Sequence, residues 1–156
     1  MKGQCSCGEV QFDMLETPLF VHACHCKNCQ RQSGSAHALN AMIETSKVNV
    51  LSGKSEGFDV PTDSGRRQTI FRCPSCKVAL WSTYGGAGDA FLFGRVGSLD
   101  DPATCPPDIN IFTKSKQLWV TLYADIPAVE EFYDAKEYWP AETLERMQAS
   151  MDAAAK

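Results

Sequence analysis

Apolar and polar residues alternate, or apolar residues form short runs, along the first three quarters of the chain. The first example is the alternation that places Val10, Phe12 and Met14 on one face. A period of two residues is typical of half-buried strands, and short apolar runs between turn residues fit buried ones. The predicted strands centre on residues 10–14, 19–21, 38–42, 48–50, 69–71, 78–81, 90–93, 109–112 and 118–120.

Helical periodicity appears only near the end of the chain. Pro140 suits the first turn of a helix, and Leu144, Met147 and Met151 then recur at i, i+3 and i+7 on one face. No long helical segment alternates with the strands, so a doubly wound parallel sheet is disfavoured. The pattern predicts a mainly β, antiparallel domain with a short C-terminal helix, which could dock on the domain or on a second subunit of a homodimer.

Length and charge narrow the class of protein. A chain of 156 residues is long enough for one compact domain with its own core. The formal net charge of −4 argues against nucleic acid as a partner, because neutralising phosphates needs a concentrated basic face. No run approaches roughly 18 apolar residues, and the first residues lead into polar and glycine positions. We therefore predict a cytoplasmic protein without a membrane segment, whose thiols stay reduced.

Seven of the eight cysteines fall into three tight groups. These groups are Cys5-x-Cys7, Cys24-x-Cys26-x-x-Cys29 and Cys73-x-x-Cys76. Two thiolates separated by one or two residues can reach the same ion at about 2.3 Å, and structural zinc takes four such donors. The grouping predicts metal binding, with zinc as the favoured ion.

The first and last groups together make a complete ligand set. Cys5 and Cys7 with Cys73 and Cys76 supply four thiolates and would tie the N-terminus to the middle of the chain. Structural zinc in small peptides contributes on the order of 10 to 16 kcal/mol near neutral pH, which is comparable with the net stability of a domain. We predict that this set holds a structural ion.

The middle group supplies only three thiolates, from Cys24, Cys26 and Cys29. Three ligands and one open position are typical of a catalytic zinc site. His25 or Cys105 could close the site, although His25 stands between two ligands and Cys105 lies in a proline-rich segment without a second donor beside it. Spacing alone also leaves other assignments of ligands to ions open.

Two disulfide-based interpretations compete with metal binding. Eight cysteines could form four bridges in a secreted protein, but no signal segment is apparent at the N-terminus. A thioredoxin-like redox role for either Cys-x-x-Cys pair lacks the expected βαβ context.

Other local patterns are better explained by structural roles than by ligand binding or catalysis. Gly53-Lys54-Ser55 imitates the end of a phosphate-binding loop, but Val48 stands where that motif needs glycine, so we predict a turn. The glycine-rich residues 85–89 are predicted to form a loop that could border a ligand site. The histidines have no helical ligand spacing and are predicted to be surface or hydrogen-bonded structural residues. They are His22, His25 and His37.

In the order in which they occur, the three cysteine groups carry a family resemblance. They lie in the segments Gly3-x-Cys5-x-Cys7-Gly8-x-Val10, Cys24-His25-Cys26-x-x-Cys29-x-x-x-Ser33-Gly34-Ser35 and Phe71-x-Cys73-x-x-Cys76. The chain resembles the glutathione-dependent formaldehyde-activating enzyme family, also called the GFA/CENP-V domain family. The likeness continues through residues 97–101 and later Pro107, Ile111 and Trp119, and so covers about residues 1–135. Many relatives have a histidine near Asn110, a difference that bears on the substrate.

The resemblance implies an Mss4-like, mainly β fold over residues 1–135, with residues 136–156 as a helical extension of the same domain. It also implies two zinc ions per chain, a structural one on Cys5, Cys7, Cys73 and Cys76 and a catalytic one on Cys24, Cys26 and Cys29. The named activity of the family is the addition of the glutathione thiol to formaldehyde, a carbon–sulfur bond-forming reaction classed with the lyases.

Zinc chemistry makes this reaction reasonable, because a thiol bound to zinc is deprotonated at neutral pH. Three thiolates make a soft Lewis acid that suits sulfur better than water activation. The sequence offers six cations as anchors for the two carboxylates of glutathione. They are Lys27, Arg31, Arg66, Arg67, Arg72 and Arg95. We predict a zinc-dependent carbon–sulfur lyase-type enzyme; the alternative is a non-catalytic, zinc-stabilised protein-binding module.

Overall fold

Ten strands dominate the computed structural model, which describes residues 1–62, 65–85 and 90–154. The strands are β1 (Lys2–Gln4), β2 (Gln11–Met14), β3 (Phe20–Cys24), β4 (Ala38–Glu44), β5 (Val48–Ser52), β6 (Glu56–Val60), β7 (Gln68–Arg72), β8 (Ala79–Tyr84), β9 (Phe91–Arg95) and β10 (Ile109–Ile111). The helices are α1 (Lys27–Ser33), α2 (Ala135–Tyr138) and α3 (Ala141–Ala154). The mainly β class predicted from the sequence is confirmed.

The strands form two sheets. A three-stranded sheet has the order β1-β2-β5, and a seven-stranded sheet has the order β10-β3-β4-β9-β8-β7-β6. Neighbouring strands are antiparallel except β10, which runs parallel to β3 with Ile109 opposite His22. This parallel pair brings residues 109–111 beside the end of β3, where the middle cysteine group begins.

Two hydrophobic cores lie against these sheets, and each contains cysteines. The first core packs β2 residues such as Phe12 against Trp81, with ring centroids 5.6 Å apart. β2 approaches β9 so closely that a Cβ on Gly94 would overlap the terminal methyl group of Met14. The second core lies between β3, β4, β10 and the C-terminal helices, where Phe20 stacks on Trp139 at 5.0 Å.

The predicted C-terminal helix is α3, which follows Pro140. Leu144 and Met147 pack on the second core, whereas Met151 at the far end is exposed. Arg146 donates to both carboxylate oxygens of buried Glu44 at the end of β4, at 2.6 and 2.5 Å. The helix is therefore docked on its own chain, and the proposed division at residue 135 stays a prediction.

The prediction of a strand at residues 118–120 was wrong. This apolar run forms a turn in which the Val120 N–H donates to the Gln117 carbonyl at 3.0 Å. Leu118 is 99% exposed and Trp119 is 75% exposed. Residues with strand propensity form a strand only where a neighbouring strand hydrogen-bonds and packs against them. In the described part of the chain no strand pairs with this run. None of the helices in the described segments is both long and apolar enough to cross a membrane.

Two candidate metal centres

The first candidate centre is the four-thiol cluster, formed by Cys5, Cys7, Cys73 and Cys76. Its two halves lie in the β1–β2 and β7–β8 turns, which share a backbone pattern. In each turn the first cysteine N–H donates at 3.0 Å to the carbonyl five residues later. A residue with positive φ, Gly8 at 73° or Lys77 at 61°, then donates back to the carbonyl of that cysteine. Both turns therefore curl around their sulfur atoms.

The sulfur atoms of the four-thiol cluster all lie within 4.8 Å of one another. The Sγ atoms of Cys5 and Cys7 are 3.4 Å apart, and those of Cys7 and Cys73 are 3.7 Å apart. Four thiolates about 2.3 Å from a tetrahedral ion would be separated by about 3.8 Å. The Val10 N–H also points at Cys5 Sγ, at 3.3 Å. The donor set and its spacing fit a closed zinc site.

The second candidate centre is the three-thiol cluster, formed by Cys24, Cys26 and Cys29. Cys24 ends β3, Cys26 caps the N-terminus of α1, and Cys29 lies in the first turn of that helix. The Cys29 N–H donates to Cys26 Sγ at 3.3 Å, as expected for an N-cap. The three sulfur atoms lie within 4.8 Å of one another, and Cys24 and Cys29 are buried.

The three thiols favour a single negative charge among them. Hydrogen bonds from Cys24 and Cys29 lower the pKa of Cys26. Hydrogen bonds to Cys26 and Cys29, together with burial, raise the pKa of Cys24. For Cys29, the hydrogen bond with Cys24 and the charge of Arg95 act to lower the pKa, but the hydrogen bond with Cys26 and burial raise it to about 11. A divalent cation would remove this competition, because all three sulfurs could then ionise.

The two proposed fourth ligands of the three-thiol cluster do not join it. The His25 Nε2 atom lies 3.1 Å from Asn110 Oδ1, and His25 is not part of the cluster. Cys105 is buried in the first core, where burial raises its pKa to about 11. Within the residues that the structure describes, neither belongs to a group able to share an ion with Cys24, Cys26 and Cys29.

The prediction of hydrogen-bonded structural histidines is confirmed for the Nε2 atoms of His22 and His25 but not for their Nδ1 atoms. His22 and His25 are almost completely buried, and His37 is half-buried. His22 Nε2 lies 2.8 Å from the Tyr133 hydroxyl, but the Nδ1 atoms of all three rings have no hydrogen-bond partner among the described residues. The burial of His22 could not be predicted from the sequence, because it depends on contact with Tyr133 of the C-terminal segment.

Sequence reasoning also missed a hydrogen-bonded chain of side chains near the three-thiol cluster. Asn28 Nδ2 donates to Gln68 Oε1 at 3.1 Å, and Gln68 Nε2 donates to the Tyr84 hydroxyl at 2.7 Å. Burial raises the pKa of Tyr84, and the negative charge of Cys29 adds to the effect. These residues come from α1, β7 and β8, so only the sheet order brings them together.

A pocket of about 470 Å³ lies near the three-thiol cluster, although none of the three cysteines is among its lining residues. The Ser33 hydroxyl in its wall donates to the Cys29 carbonyl at 2.8 Å, and Ala38 is paired with Cys24 in the sheet. The lining residues are Gln32, Ser33, His37, Ala38, Leu39, Arg72, Val78, Ala79, Arg95, Gly97 and Ser98. Two of the six cations singled out in the sequence therefore reach this pocket.

Neither glycine pattern takes part in a described site. Gly53 has φ of 69° and connects β5 to β6, as expected for a turn. In the loop predicted over residues 85–89, residues 86–89 lie outside the described part of the chain.

Comparison with known proteins agrees with this arrangement. A crystal structure of a Rhodobacter sphaeroides protein is similar, with a TM-score of 0.52 and 18% sequence identity, over 83% of this chain and 100% of that one. This likeness supports the fold alone. No curated protein matches the chain. The family model described as glutathione-dependent formaldehyde-activating enzyme, GFA, matches residues 1–115, which include both cysteine clusters. The chain therefore belongs to the GFA family.

Proposed function

We propose that this protein is a zinc-dependent carbon–sulfur lyase-type enzyme that joins a thiol, such as glutathione, to formaldehyde or a related small electrophile. The observation that carries the proposal is the contrast between the two clusters. One offers four sulfur ligands, which complete a tetrahedral site, and the other offers only three. All eight cysteines are free thiols, which suits a reducing compartment such as the cytoplasm.

In this proposal Cys5, Cys7, Cys73 and Cys76 hold a structural zinc, and Cys24, Cys26 and Cys29 hold a catalytic one. When bound to the three thiolates, zinc would supply a soft Lewis-acid position that favours the thiolate form of an incoming thiol. Cys24 and Cys29 are buried, and Cys26 is partly exposed.

The protein's own residues supply the remaining conditions for reaction. A thiol bound in the pocket would lie near the strand end and the helix that carry the three-thiol cluster, and holding two reactants together can remove several kcal/mol of the barrier. The thiolate sulfur then attacks the carbonyl carbon, so that a carbon–sulfur bond forms as the carbonyl π bond breaks, and the oxygen takes up a proton to give the S-hydroxymethyl hemithioacetal. No bond in the thiol other than sulfur to hydrogen is broken.

The test combines metal analysis with product detection. Purified protein should contain two zinc ions per chain, and zinc-edge spectroscopy should change when glutathione is added. Nuclear magnetic resonance should show faster formation of S-hydroxymethylglutathione from glutathione and ¹³C-formaldehyde than without protein. Two zinc ions with four protein ligands each, unaffected by glutathione and without acceleration, would instead favour a zinc-stabilised binding module.

A further inference from the structure

Arg95 lies on the same face of the seven-stranded sheet as Cys24, the first member of the three-thiol cluster. Residues paired across neighbouring strands point to the same side of a sheet, and so do alternate residues of one strand. Arg95 on β9 is paired with Asn40 on β4, and Asn40 is paired with His22 on β3. Cys24 is the next residue of β3 on that side and ends the strand. The register therefore places a guanidinium group and a cluster thiol on one side of the sheet, two strands apart.

The helix that carries the rest of the cluster also lies close to Arg95. Ser33 at the end of α1 donates to the Cys29 carbonyl at 2.8 Å, and Ser33 lines the same pocket as Arg95. After its hydrogen bonds with the other two thiols and its burial, the positive charge of Arg95 is a further influence on the pKa of Cys29 and acts to lower it. The sheet and the helix thus bring one cation near two of the three thiols.

The positive charge of Arg95 is not neutralised by a carboxylate. Its Nη1 atom donates to the amide oxygen of Asn40, and its Nη2 atom is buried without a hydrogen-bond partner in the described part of the chain. None of the ion pairs found among the described residues includes Arg95. A buried charged donor without an opposite charge is costly. The fold therefore holds a cation whose compensating charge is missing while the cysteines are neutral thiols.

The three-thiol cluster would supply the missing charge once it holds zinc. Three thiolates and one divalent ion leave one unit of negative charge. Cys24 and Cys29 are buried, so water stabilises this charge less than it would at the surface. The four-thiol cluster differs, because its member Cys7 is exposed to water. A buried net charge is costly without an opposite charge nearby, and Arg95 is placed to provide one.

We infer that Arg95 is the counter-charge of the zinc-loaded three-thiol cluster and strengthens zinc binding there. This inference rests on the proposed function, because that function assigns zinc to these three thiols. Arg95 acts through its charge and not as a metal ligand, since its guanidinium stays protonated and has no free electron pair to donate. A role inside the fold also agrees with the burial of the Nη2 atom, which no ligand in the pocket has to reach.

Zinc affinity measures this role without any reaction. In a competition titration with a fluorescent zinc chelator, the wild-type protein should release its two ions in separate steps. Cys26→Ser, which removes one ligand of the three-thiol cluster, identifies the step that belongs to that cluster. Arg95→Gln should weaken zinc binding in this step about 10-fold, the order expected when a unit charge is removed from near a partly buried charged centre. The step of the four-thiol cluster should be unchanged and is the internal control.

Two further variants separate the charge of Arg95 from its packing. Arg95→Lys keeps a cation and should bind zinc within about 3-fold of the wild-type protein. Arg31→Gln removes an exposed cation from the helix that carries Cys29, and solvent screening should limit its effect on zinc affinity to less than about 2-fold.

A double-mutant cycle tests whether Arg95 has only a structural role. Arg95→Gln should lower the urea midpoint of the protein loaded with two zinc ions, because weaker zinc binding stabilises the folded state less. It should not lower the midpoint in the Cys26→Ser background, where the charge of the zinc-loaded cluster is absent. A residue needed only for packing would lower both midpoints equally.

The outcomes separate this inference from the proposed function. Unchanged zinc affinity in Arg95→Gln, equal weakening in Arg95→Gln and Arg95→Lys, or an equal loss of urea midpoint in both backgrounds would overturn the counter-charge even if product forms from glutathione and formaldehyde. Conversely, charge-dependent zinc binding at the three-thiol cluster together with no product formation would retain the counter-charge and overturn the carbon–sulfur lyase activity.

Discussion

The four-thiol and three-thiol clusters differ in how the chain supplies their sulfur atoms. The four-thiol cluster joins two turns from opposite ends of the first 76 residues, and its members Cys5 and Cys73 lie in the first core. The three-thiol cluster comes from one strand end and one short helix, and it borders the second core. One arrangement links distant parts of the chain, whereas the other is built from one short segment.

This difference teaches how one type of ligand can serve two purposes. A closed set of four thiolates leaves no coordination position for a substrate, so its contribution is to stability. Under the proposed function, a set of three thiolates leaves a position that a sulfur substrate can take. The contrast predicts that stability and activity respond to different cysteines.

The largest expected effect is that of Cys73→Ser. The side chain is completely buried in the first core, and losing a structural ion removes stabilisation comparable with the whole net stability of a domain. We expect little folded protein, measured by circular dichroism and soluble yield. Cys105→Ser is the matched control, because Cys105 is buried in the same core but outside both clusters; it should stay folded and keep two zinc ions.

Cys26→Ser should abolish activity but leave the fold. Serine is a good N-cap, so its hydroxyl can accept the Cys29 N–H that Cys26 Sγ now accepts. We expect metal analysis to show one zinc ion per chain in place of two and the free energy of unfolding to fall far less than in Cys73→Ser. Equal destabilisation by the two substitutions would refute the division into a structural and a catalytic cluster.

Arg146→Met tests whether the second core depends on α3. The substitution leaves the buried Glu44 carboxylate without its bidentate partner, and the Arg146 side chain is 33% exposed. We expect a loss of about 1 to 3 kcal/mol in urea denaturation, less than for a fully buried pair. Lys47→Met, which breaks an exposed ion pair with Glu16, is the control and should cost less than about 1 kcal/mol.

The same pair predicts a pH dependence. Burial acts to raise the pKa of Glu44, but the hydrogen bonds and charge of Arg146 outweigh it and hold the pKa below the usual 4.5. The folded state therefore releases this proton more readily than the unfolded state. The contribution of the pair is complete above the usual carboxyl pKa and is lost as pH falls below it. Denaturation curves from pH 7 to pH 3 should show a steeper loss for the wild-type protein than for Glu44→Gln.

The smallest effect is expected for Trp119→Ser. Trp119 is mostly exposed and belongs to neither core, so its loss should change the free energy of unfolding by less than about 0.5 kcal/mol and leave zinc content unchanged. A larger effect that depends on protein concentration would contradict the exposed position and indicate that a second subunit covers this segment. Sedimentation at two concentrations checks this.

Much of the fold could be predicted from the sequence because its signals are local. Alternation at Val10, Phe12 and Met14 and the helical spacing after Pro140 correspond to β2 and α3. The cysteine groups could also be found, since their spacing reflects the turns that hold them. The pairing of Asn40 with Arg95, by contrast, depends on β4 lying next to β9, a long-range choice that no local pattern encodes. The sequence therefore could not predict that Arg72 and Arg95 line the same pocket, although both were among the candidate anchors.

The chain separation within each cluster also bears on the order of assembly during synthesis. The three-thiol cluster spans only six residues, so its ligands can meet as soon as that segment leaves the ribosome. The sulfur atoms of Cys7 and Cys73 are separated by 66 residues, and closing that longer loop costs on the order of 2 kcal/mol more. In a nascent chain the three-thiol cluster can thus capture an ion first, whereas the four-thiol cluster must wait until Cys76 has been made.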